Sequence, residues 1–274
     1  MDDLAELSLE ELSAVRVTSV SKRPEALADA PASVTVITND DIRRSGATTL
    51  PEAMRLAPNL QVARVDARNY AISARGFNSP FENKLLVLID GRTVYSPLFS
   101  GVFWDAQDVV LEDIARIEVI SGPGGTLWGA NAVNGVINII TKSAAATQGM
   151  LGAAGAGPHE KNGVLRYGGE LANGGHYRVY GKYAQADDTR RANGADVVTG
   201  WDRQQAGFRA DWGPTDRNFT VQGDAYEGGL HQLGTRDIKI AGANLVGRFN
   251  ARLDGGANAS LQAYWDYTER DQPG

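Results

Sequence analysis

The segment RIEVISGPGGTLWGANAVNGVINIITK, residues 116–142, decides the fold of the first half of the chain. It contains a β-prone run at 116–120, a glycine-rich stretch at 122–135 and a second β-branched run at 136–141. Glycine lets a backbone turn tightly and approach a neighbouring wall, so this pattern predicts two strands joined by a closely packed turn. The glycine-rich stretch is not a nucleotide loop, because no Lys-Ser/Thr pair directly follows one of its glycines and Leu127 stands where a dinucleotide fingerprint requires glycine.

Upstream of this segment the sequence alternates short β-prone runs with short helical signals. Thr38 or Asn39 can cap a helical turn that stops at Gly46, and Thr49-Leu50-Pro51 opens a second helix that ends at Pro58. The carboxylate pairs 40–41 and 112–113 fit helix starts or turns better than acid–base catalysis. Short strands mixed with short helices predict a compact α+β domain, with further strands at 33–37, 60–65, 71–75 and 85–89.

After Gly149 apolar and polar residues alternate with period two, which predicts β-strands with one apolar and one polar face. The connections at 172–175, 213–216 and 254–258 are tight, whereas 186–200 and 227–239 are long and polar. Short turns on one side and long loops on the other are typical of a transmembrane β-barrel, although a soluble sandwich also alternates. We count about seven strands, and an odd number of up-and-down strands cannot close with uniform antiparallel pairing. The fold class is therefore an α+β domain followed by an incomplete antiparallel transmembrane β-barrel.

Composition excludes several classes of protein. The net charge of −6 provides no basic footprint for nucleic acid, and the absence of cysteine excludes disulfides and thiolate metal sites. The three histidines, His159, His176 and His231, are scattered through the second half and are predicted to be strand or loop residues, not metal ligands. No apolar run reaches the roughly 20 residues of a membrane helix, which leaves membrane strands open. If the protein is exported, its signal peptide was removed before Met1.

Three motifs resemble the plug of TonB-dependent outer-membrane receptors: ISARGF at 72–77, LLVLIDGRTVY at 85–95, and the long segment at 116–142. The resemblance is close over residues 15–142 and extends to 149–274 only in pattern. It implies an N-terminal arm at 1–30, a plug at 31–142 and the first part of a barrel at 149–274. It also implies location in the outer membrane, contact with its lipid, no enzymatic activity and no cofactor or resident metal.

The resemblance assigns the β-prone arm to partner binding. Such a segment is similar to the TonB box, which an energy-transducing inner-membrane complex of the TonB type can bind by strand addition, with main-chain hydrogen bonds supplying the grip. The arm looks like a strand without a partner of its own. Its residues are Val15, Arg16, Val17, Thr18, Ser19 and Val20.

The resemblance also implies a ligand site and a latch. Aromatic-rich plug loops are expected to face outward and form the floor of an extracellular ligand site, with candidates Arg68, Phe77, Asn78, Phe81, Tyr95, Phe99, Phe103 and Trp104. Arg75, Arg116 and Glu118 are charges on otherwise apolar strands and could hold the plug to the barrel. Ser121 departs from the family pattern, in which an arginine usually follows the IEV strand.

The resemblance therefore implies an importer of a scarce extracellular ligand, most simply a ferric siderophore or another metal chelate. A vitamin B12 or glycan importer, and a receptor that signals to the periplasm, remain alternatives. Signalling members carry an extra N-terminal domain, whereas only 14 residues precede Val15 here. A soluble enzyme is the third class, but the sequence offers no triad, metal cluster or nucleotide loop.

Overall fold

The computed structural model describes residues 16–17, 25–26, 32–76, 78–96, 98–122, 124–129, 131–172, 174–214, 216–234, 236–253 and 255–273. The chain divides into two compact units, residues 1–141 and 142–274. Among the described residues, no helix is both long and apolar enough to cross a membrane.

The first unit begins with strands β1 (Arg16–Val17) and β2 (Glu25–Ala26), followed by β3 (Ser33–Thr38) and helix α1 (Asn39–Ser45). Thr38 caps α1 in a capping box, because its side chain accepts from the Asp41 N–H while the Asp41 carboxylate accepts from the Thr38 N–H. Gly46 ends the helix in the left-handed conformation, with φ of 70°. The predicted cap and stop are confirmed.

Helix α2 (Leu50–Ala53) is capped by Thr49 and continues as a 3-10 turn, Met54–Leu56. The hairpin of β4 (Gln61–Arg64) and β5 (Tyr70–Ser73) follows. The remaining elements of this unit are β6 (Leu85–Ile89), β7 (Arg92–Thr93), a 3-10 turn (Leu111–Asp113), β8 (Ile114–Ser121), α3 (Gly125–Trp128) and β9 (Gly135–Thr141).

A five-stranded sheet in the order β3-β8-β9-β6-β7 forms the centre of the first unit. Only β6 and β9 run parallel; the other pairs are antiparallel. One face carries the main core, in which Ile117, Ile137 and Ile139 are fully buried together with Leu50 and Met54 from the helical segment. Burial of such side chains stabilises the unit by roughly 1.5–3 kcal/mol each.

The glycine-rich stretch packs as the sequence predicts. A Cβ on Gly135 would lie 2.5 Å from the carbonyl oxygen of Ile120 on the neighbouring strand, so no larger residue fits without movement of the backbone. Gly122 has a φ of 108°, which L-residues rarely adopt. The turn between β8 and β9 therefore requires glycine at both of these positions.

The second unit is a seven-stranded antiparallel sheet that follows a 3-10 turn, Ala145–Thr147. Each long strand pairs with the next, and the pairing also continues past a small hairpin of β13 (Thr189–Arg190) and β14 (Asp196–Val197). The predicted fold class is confirmed. The seven strands are β10 (Gly149–Ala156), β11 (Glu160–Glu170), β12 (His176–Ala186), β15 (Trp201–Trp212), β16 (Arg217–Leu230), β17 (Ile238–Arg252) and β18 (Asn258–Asp271).

The two faces of this sheet differ in chemistry, as the period-two alternation predicts. One row across the strands presents apolar side chains that are 41–81% exposed: Met150, Tyr167, Val179, Phe208, Leu245 and Trp265. The opposite face carries the charges, and several of them are buried, namely Arg178, Arg203 and Arg209 at 4–9% exposure. A soluble sandwich would bury the apolar face and expose the charged one, so the sheet does not support that alternative.

Candidate functional site

Three phenylalanines from two loops of the first unit meet in an aromatic cluster. The ring centroids of Phe81 and Phe99 are 5.9 Å apart and those of Phe99 and Phe103 are 4.5 Å apart, both in edge-on geometry. Phe81 is 72% exposed, and Leu98 beside Phe99 is 63% exposed. An apolar patch of this kind on a loop is unusual for a surface that meets only water.

The loop that carries Phe99 is held in a tight shape. The Ser96 N–H donates to the carbonyl oxygen of Gly101 at 2.7 Å, and the Ser100 N–H donates to the carbonyl oxygen of Ser96 at 3.0 Å. Ser100 has a φ of 58°, in the left-handed region. A Cβ on Gly101 would lie 2.2 Å from the Phe99 ring, so a larger residue there would displace the ring from its place over the loop. The apolar tip is therefore presented by a defined turn.

Two of the other predicted ligand residues contact the interior of the first unit. Tyr95 and Trp104 are partly buried and pack against the main core. The Tyr95 hydroxyl donates to the carbonyl oxygen of Leu85 at 3.1 Å, and burial raises the pKa of Tyr95 well above its usual value. Arg68 lies in a turn in which the Asp66 carboxylate accepts from its backbone N–H at 2.9 Å. Asn78 is exposed, whereas Phe77 lies outside the described residues.

The structure thus brings Phe81, Phe99 and Phe103 together and gives Tyr95 and Trp104 contacts with the core. The ligand-binding role of all eight predicted residues stays a prediction.

The predicted latch residues have defined partners inside the first unit. The Nε of Arg116 donates to Oε1 of Glu118 at 2.7 Å, and Glu118 is fully buried. Arg75 adopts a φ of 59°, and its guanidinium lies over Gly122, 3.6 Å from the position that a Cβ there would take. A larger residue at 122 would therefore meet this charge. The role of all three residues as a latch stays a prediction.

The N-terminal arm differs from the sequence expectation. We predicted a strand without a partner at 15–20, but Arg16–Val17 pairs with Glu25–Ala26, and Val17 is fully buried. The physical reason is that main-chain groups of the two short strands satisfy one another. Val15, Thr18, Ser19 and Val20 lie outside the described residues.

One loop of the second unit is fixed by a carboxylate that sequence analysis did not single out. Oδ1 of Asp188 accepts from the N–H groups of Gly200 at 2.6 Å and Thr199 at 2.9 Å, and lies 3.3 Å from Nδ1 of His231. These contacts, that of Gly200 first, hold the pKa of Asp188 below its ordinary value. The sequence signal was faint, because two adjacent aspartates in a polar loop are common.

Each histidine lies near a carboxylate, with nitrogen–oxygen distances of 3.3–3.9 Å for His159–Asp187, His176–Glu170 and His231–Asp188. No cluster of three or more metal-ligating side chains occurs in the part of the chain that the structure describes.

Comparison with known proteins adds an independent line of evidence. A family model described as TonB-dependent Receptor Plug Domain matches residues 26–136. The chain is 33% identical to the vitamin B12 transporter BtuB of Vibrio vulnificus over 174 residues, and this alignment covers 62% of the chain and 28% of the transporter. It is 31% identical to the ferric enterobactin receptor of Pseudomonas aeruginosa over 221 residues, and this alignment covers 73% of the chain and 29% of the receptor. The chain thus spans less than a third of the length of these relatives.

Among solved structures, the fold is similar to the pyoverdine outer membrane receptor FpvA from Pseudomonas aeruginosa PAO1, bound to pyoverdine. The TM-score is 0.74 at 18% sequence identity, and the match covers 93% of this chain and 40% of that one. At this identity the likeness concerns the fold alone.

Proposed function

Because this chain belongs to the TonB-dependent receptors, a family of outer-membrane β-barrel proteins, we propose that the protein imports a scarce extracellular ligand by energy-coupled rearrangement of its plug. The observation that carries the proposal is a plug sequence at 26–136 joined directly to a sheet that exposes its apolar face and buries its charges. An exposed apolar band with aromatic side chains suits outer-membrane lipid.

The ligand we propose is a ferric siderophore or another metal chelate. The alignment with the ferric enterobactin receptor extends over 73% of the chain, beyond the plug and into the sheet. The aromatic cluster of Phe81, Phe99 and Phe103, together with the exposed Leu98, would provide apolar contact area for such a ligand. Import needs no bond of the ligand to break, so binding and release are the only chemistry required.

Vitamin B12 is the second candidate ligand, supported by the 33% identity to the B12 transporter over 174 residues. Corrin rings also offer an apolar edge to aromatic side chains. Uptake assays with radiolabelled cyanocobalamin and with ferric enterobactin distinguish the two candidates, because each probe represents one of the two ligand classes.

We further propose that the arm at 15–20 engages an inner-membrane partner of the TonB type by strand addition. Val17 is buried and paired with Glu25 in the resting chain, so the partner's strand must replace β2 as the hydrogen-bonding neighbour. Ligand binding would then favour the released arm only through a difference in affinity between the two states.

The test compares uptake of both probes by cells that carry the receptor gene, lack it, or carry Val17→Pro or Val17→Ala. Proline removes a main-chain donor, whereas alanine keeps the donor and changes only the side chain. We expect Val17→Pro to abolish uptake and Val17→Ala to keep most of it. Equal uptake by the two variants would remove the strand-addition proposal, and equal uptake with and without the gene would remove the import proposal.

A further inference from the structure

The segment that follows β9, residues 142–148, which we call the tether, is bound to the charged face of the seven-stranded sheet. The Ala144 N–H donates to Oδ2 of Asp211 at 2.6 Å, and Nη1 of Arg178 donates to the carbonyl oxygen of Lys142 at 2.5 Å. Ala144 is fully buried and Thr147 is 2% exposed. The tether is therefore a packed part of the sheet and not a free linker.

The carboxylate that holds the tether is itself held on two sides. Nε of Arg209 lies 2.9 Å from Oδ2 of Asp211, and Oγ1 of Thr220 donates to Oδ1 at 2.6 Å from the directly paired position on β16. Arg178, Arg209 and Thr220 are only 5–9% exposed. Charge-assisted hydrogen bonds in such surroundings are strong, and removal of one member leaves another buried polar group unpaired.

The backbone of the tether fits closely against β11. A Cβ on Gly168 would lie 2.1 Å from the carbonyl oxygen of Thr147, so a side chain there would displace the tether. The hydroxyl of Thr147 donates to the carbonyl oxygens of Ser143 and Ala144, each at 3.1 Å, which closes the tether into a compact turn. The close fit to β11, the turn within the tether and the charged partners Arg178 and Asp211 thus hold the same segment, residues 142–148.

We infer that Asp211 and Arg178 are positioning residues that keep the tether bound throughout import, so that the rearrangement of the plug ends at Thr141. The inference rests on the proposed function, in which a pull begins at the N-terminal arm. Tension along the backbone passes from β9 to Lys142 and Ala144, which are held by Arg178 and Asp211. A tether that stays bound returns the plug to one position after each cycle.

The chain has no cysteine, which allows a site-specific test in the complete receptor. Ala144→Cys places a thiol at a buried position, and Ala145→Cys places one at the adjacent exposed position as a matched control. Cells are treated with a small thiol reagent during active import and again after a protonophore has removed the energy source. We expect Ala144→Cys to react about tenfold more slowly than Ala145→Cys in both conditions. Equal rates for the two thiols during import would overturn the inference.

Second-site changes test the residues themselves. Asp211→Ala in the Ala144→Cys background should raise the labelling rate about tenfold, and Asp211→Asn should raise it less because its amide oxygen still accepts the Ala144 N–H. An unchanged rate in Asp211→Ala would overturn the role of Asp211. Thr220→Val removes only one donor to the Asp211 carboxylate and leaves the carboxylate itself in place. We expect it to raise the labelling rate of Ala144→Cys less than Asp211→Ala does, and such a graded increase would not arise from misfolding of the sheet.

Uptake of radiolabelled cyanocobalamin and ferric enterobactin completes the test. Asp211→Asn should lower the maximal rate several-fold and leave KM unchanged, because the tether does not bind ligand. A raised KM with an unchanged maximal rate would contradict the positioning role. If the unmodified receptor imports neither probe, the proposed transport of these ligands fails, whereas the labelling of Ala144→Cys still decides whether the tether is anchored.

Discussion

The side-chain amide of Asn59 donates a hydrogen bond to the hydroxyl oxygen of Ser121, across 62 residues of sequence. Ser121 ends β8 and stands where the sequence pattern of the family usually has arginine. The contact joins the segment after the 3-10 turn at Met54–Leu56 to the central sheet. At this position, the protein therefore has a local hydrogen bond in place of a long charged side chain.

Ser121→Ala should lower the free energy of opening of β8 by about 1–2 kcal/mol, because the amide of Asn59 then loses its acceptor in a part-buried site. Ser33→Ala is a matched control: Ser33 pairs with Ser121 across the sheet, but its side chain is exposed. We expect the control to change stability by less than about 0.5 kcal/mol. Hydrogen exchange of the amides at 117–120 measures both, and equal protection in the two variants would contradict the prediction.

Much of the first unit could be predicted from the sequence because its signals are local. The β6 strand has the predicted bounds, and α1 begins after Thr38, one of the two predicted caps, and ends at the predicted Gly46. The cross-chain contacts could not be predicted. The pair of Asn59 and Ser121 depends on how the sheet is assembled, and a single sequence contains no signal for it.

In the second unit, alternation predicts strands at 176–184, 205–212, 218–225, 245–253 and 259–267, which correspond to β12, β15, β16, β17 and β18. It does not define the bounds of β10 and β11, which enter only the count of about seven strands. In β10 six of the eight residues are glycine or alanine, and in β11 the apolar residues Val164 and Leu165 are adjacent, so neither strand shows a clear period of two. The small hairpin of β13 and β14 was predicted as loop, because two-residue strands leave no period to detect. The roles of Asp188 and Asp211 depend on main-chain donors, which no side-chain pattern reveals.

The loop at 187–200 should depend on the charge of Asp188. Its lowered pKa means that the folded state favours the carboxylate, so its contribution to stability is present above the ordinary value of 3.8 and is lost as pH falls through the lowered folded pKa. Asp188→Asn should therefore loosen the loop at neutral pH. Because Asp188 is partly exposed, we expect the substitution to lower the free energy of opening of the loop by only about 1 kcal/mol. Trypsin should then cleave about fivefold faster at the exposed Arg190 and Arg191.

Asp187→Asn is the matched control for this loop. Its side chain is 57% exposed and lies 3.9 Å from His159, so its loss should change cleavage little. In the unmodified chain, an acid-active protease should cut the loop at a constant rate down to about pH 4 and faster below it. A rate that rises already between pH 7 and pH 5 would show that another group controls the loop.

The two faces of the seven-stranded sheet can be distinguished by neighbouring substitutions on β17. Leu245 is 47% exposed in the apolar row, and Asn244 faces the other way, paired in register with Asp224 and Asp266. Leu245→Arg should destabilise the folded sheet in lipid by about 2–4 kcal/mol, the cost of a charge near the bilayer midplane. Asn244→Arg should destabilise the sheet little, because the carboxylates of Asp224 and Asp266 lie beside it on the two neighbouring strands. Urea-induced unfolding in lipid vesicles measures both, and equal costs would contradict the assignment of the faces.

The aromatic cluster provides the sharpest test of the ligand site. Phe81 is 72% exposed, so Phe81→Ala removes little packing and should leave stability within about 0.5 kcal/mol. If the ring contacts ligand, its loss should weaken binding by about 1–3 kcal/mol, which is at least fivefold in Kd. Val65→Ala removes another exposed apolar side chain of the same unit, one that was not predicted to bind ligand, and serves as the control. Equilibrium binding of ferric enterobactin and of cyanocobalamin to the complete receptor gives the comparison for both probes. Unchanged affinity of Phe81→Ala for a probe that the unmodified receptor binds would exclude this ring from the site, whereas equal weakening in the two variants would show a general effect of lost apolar surface.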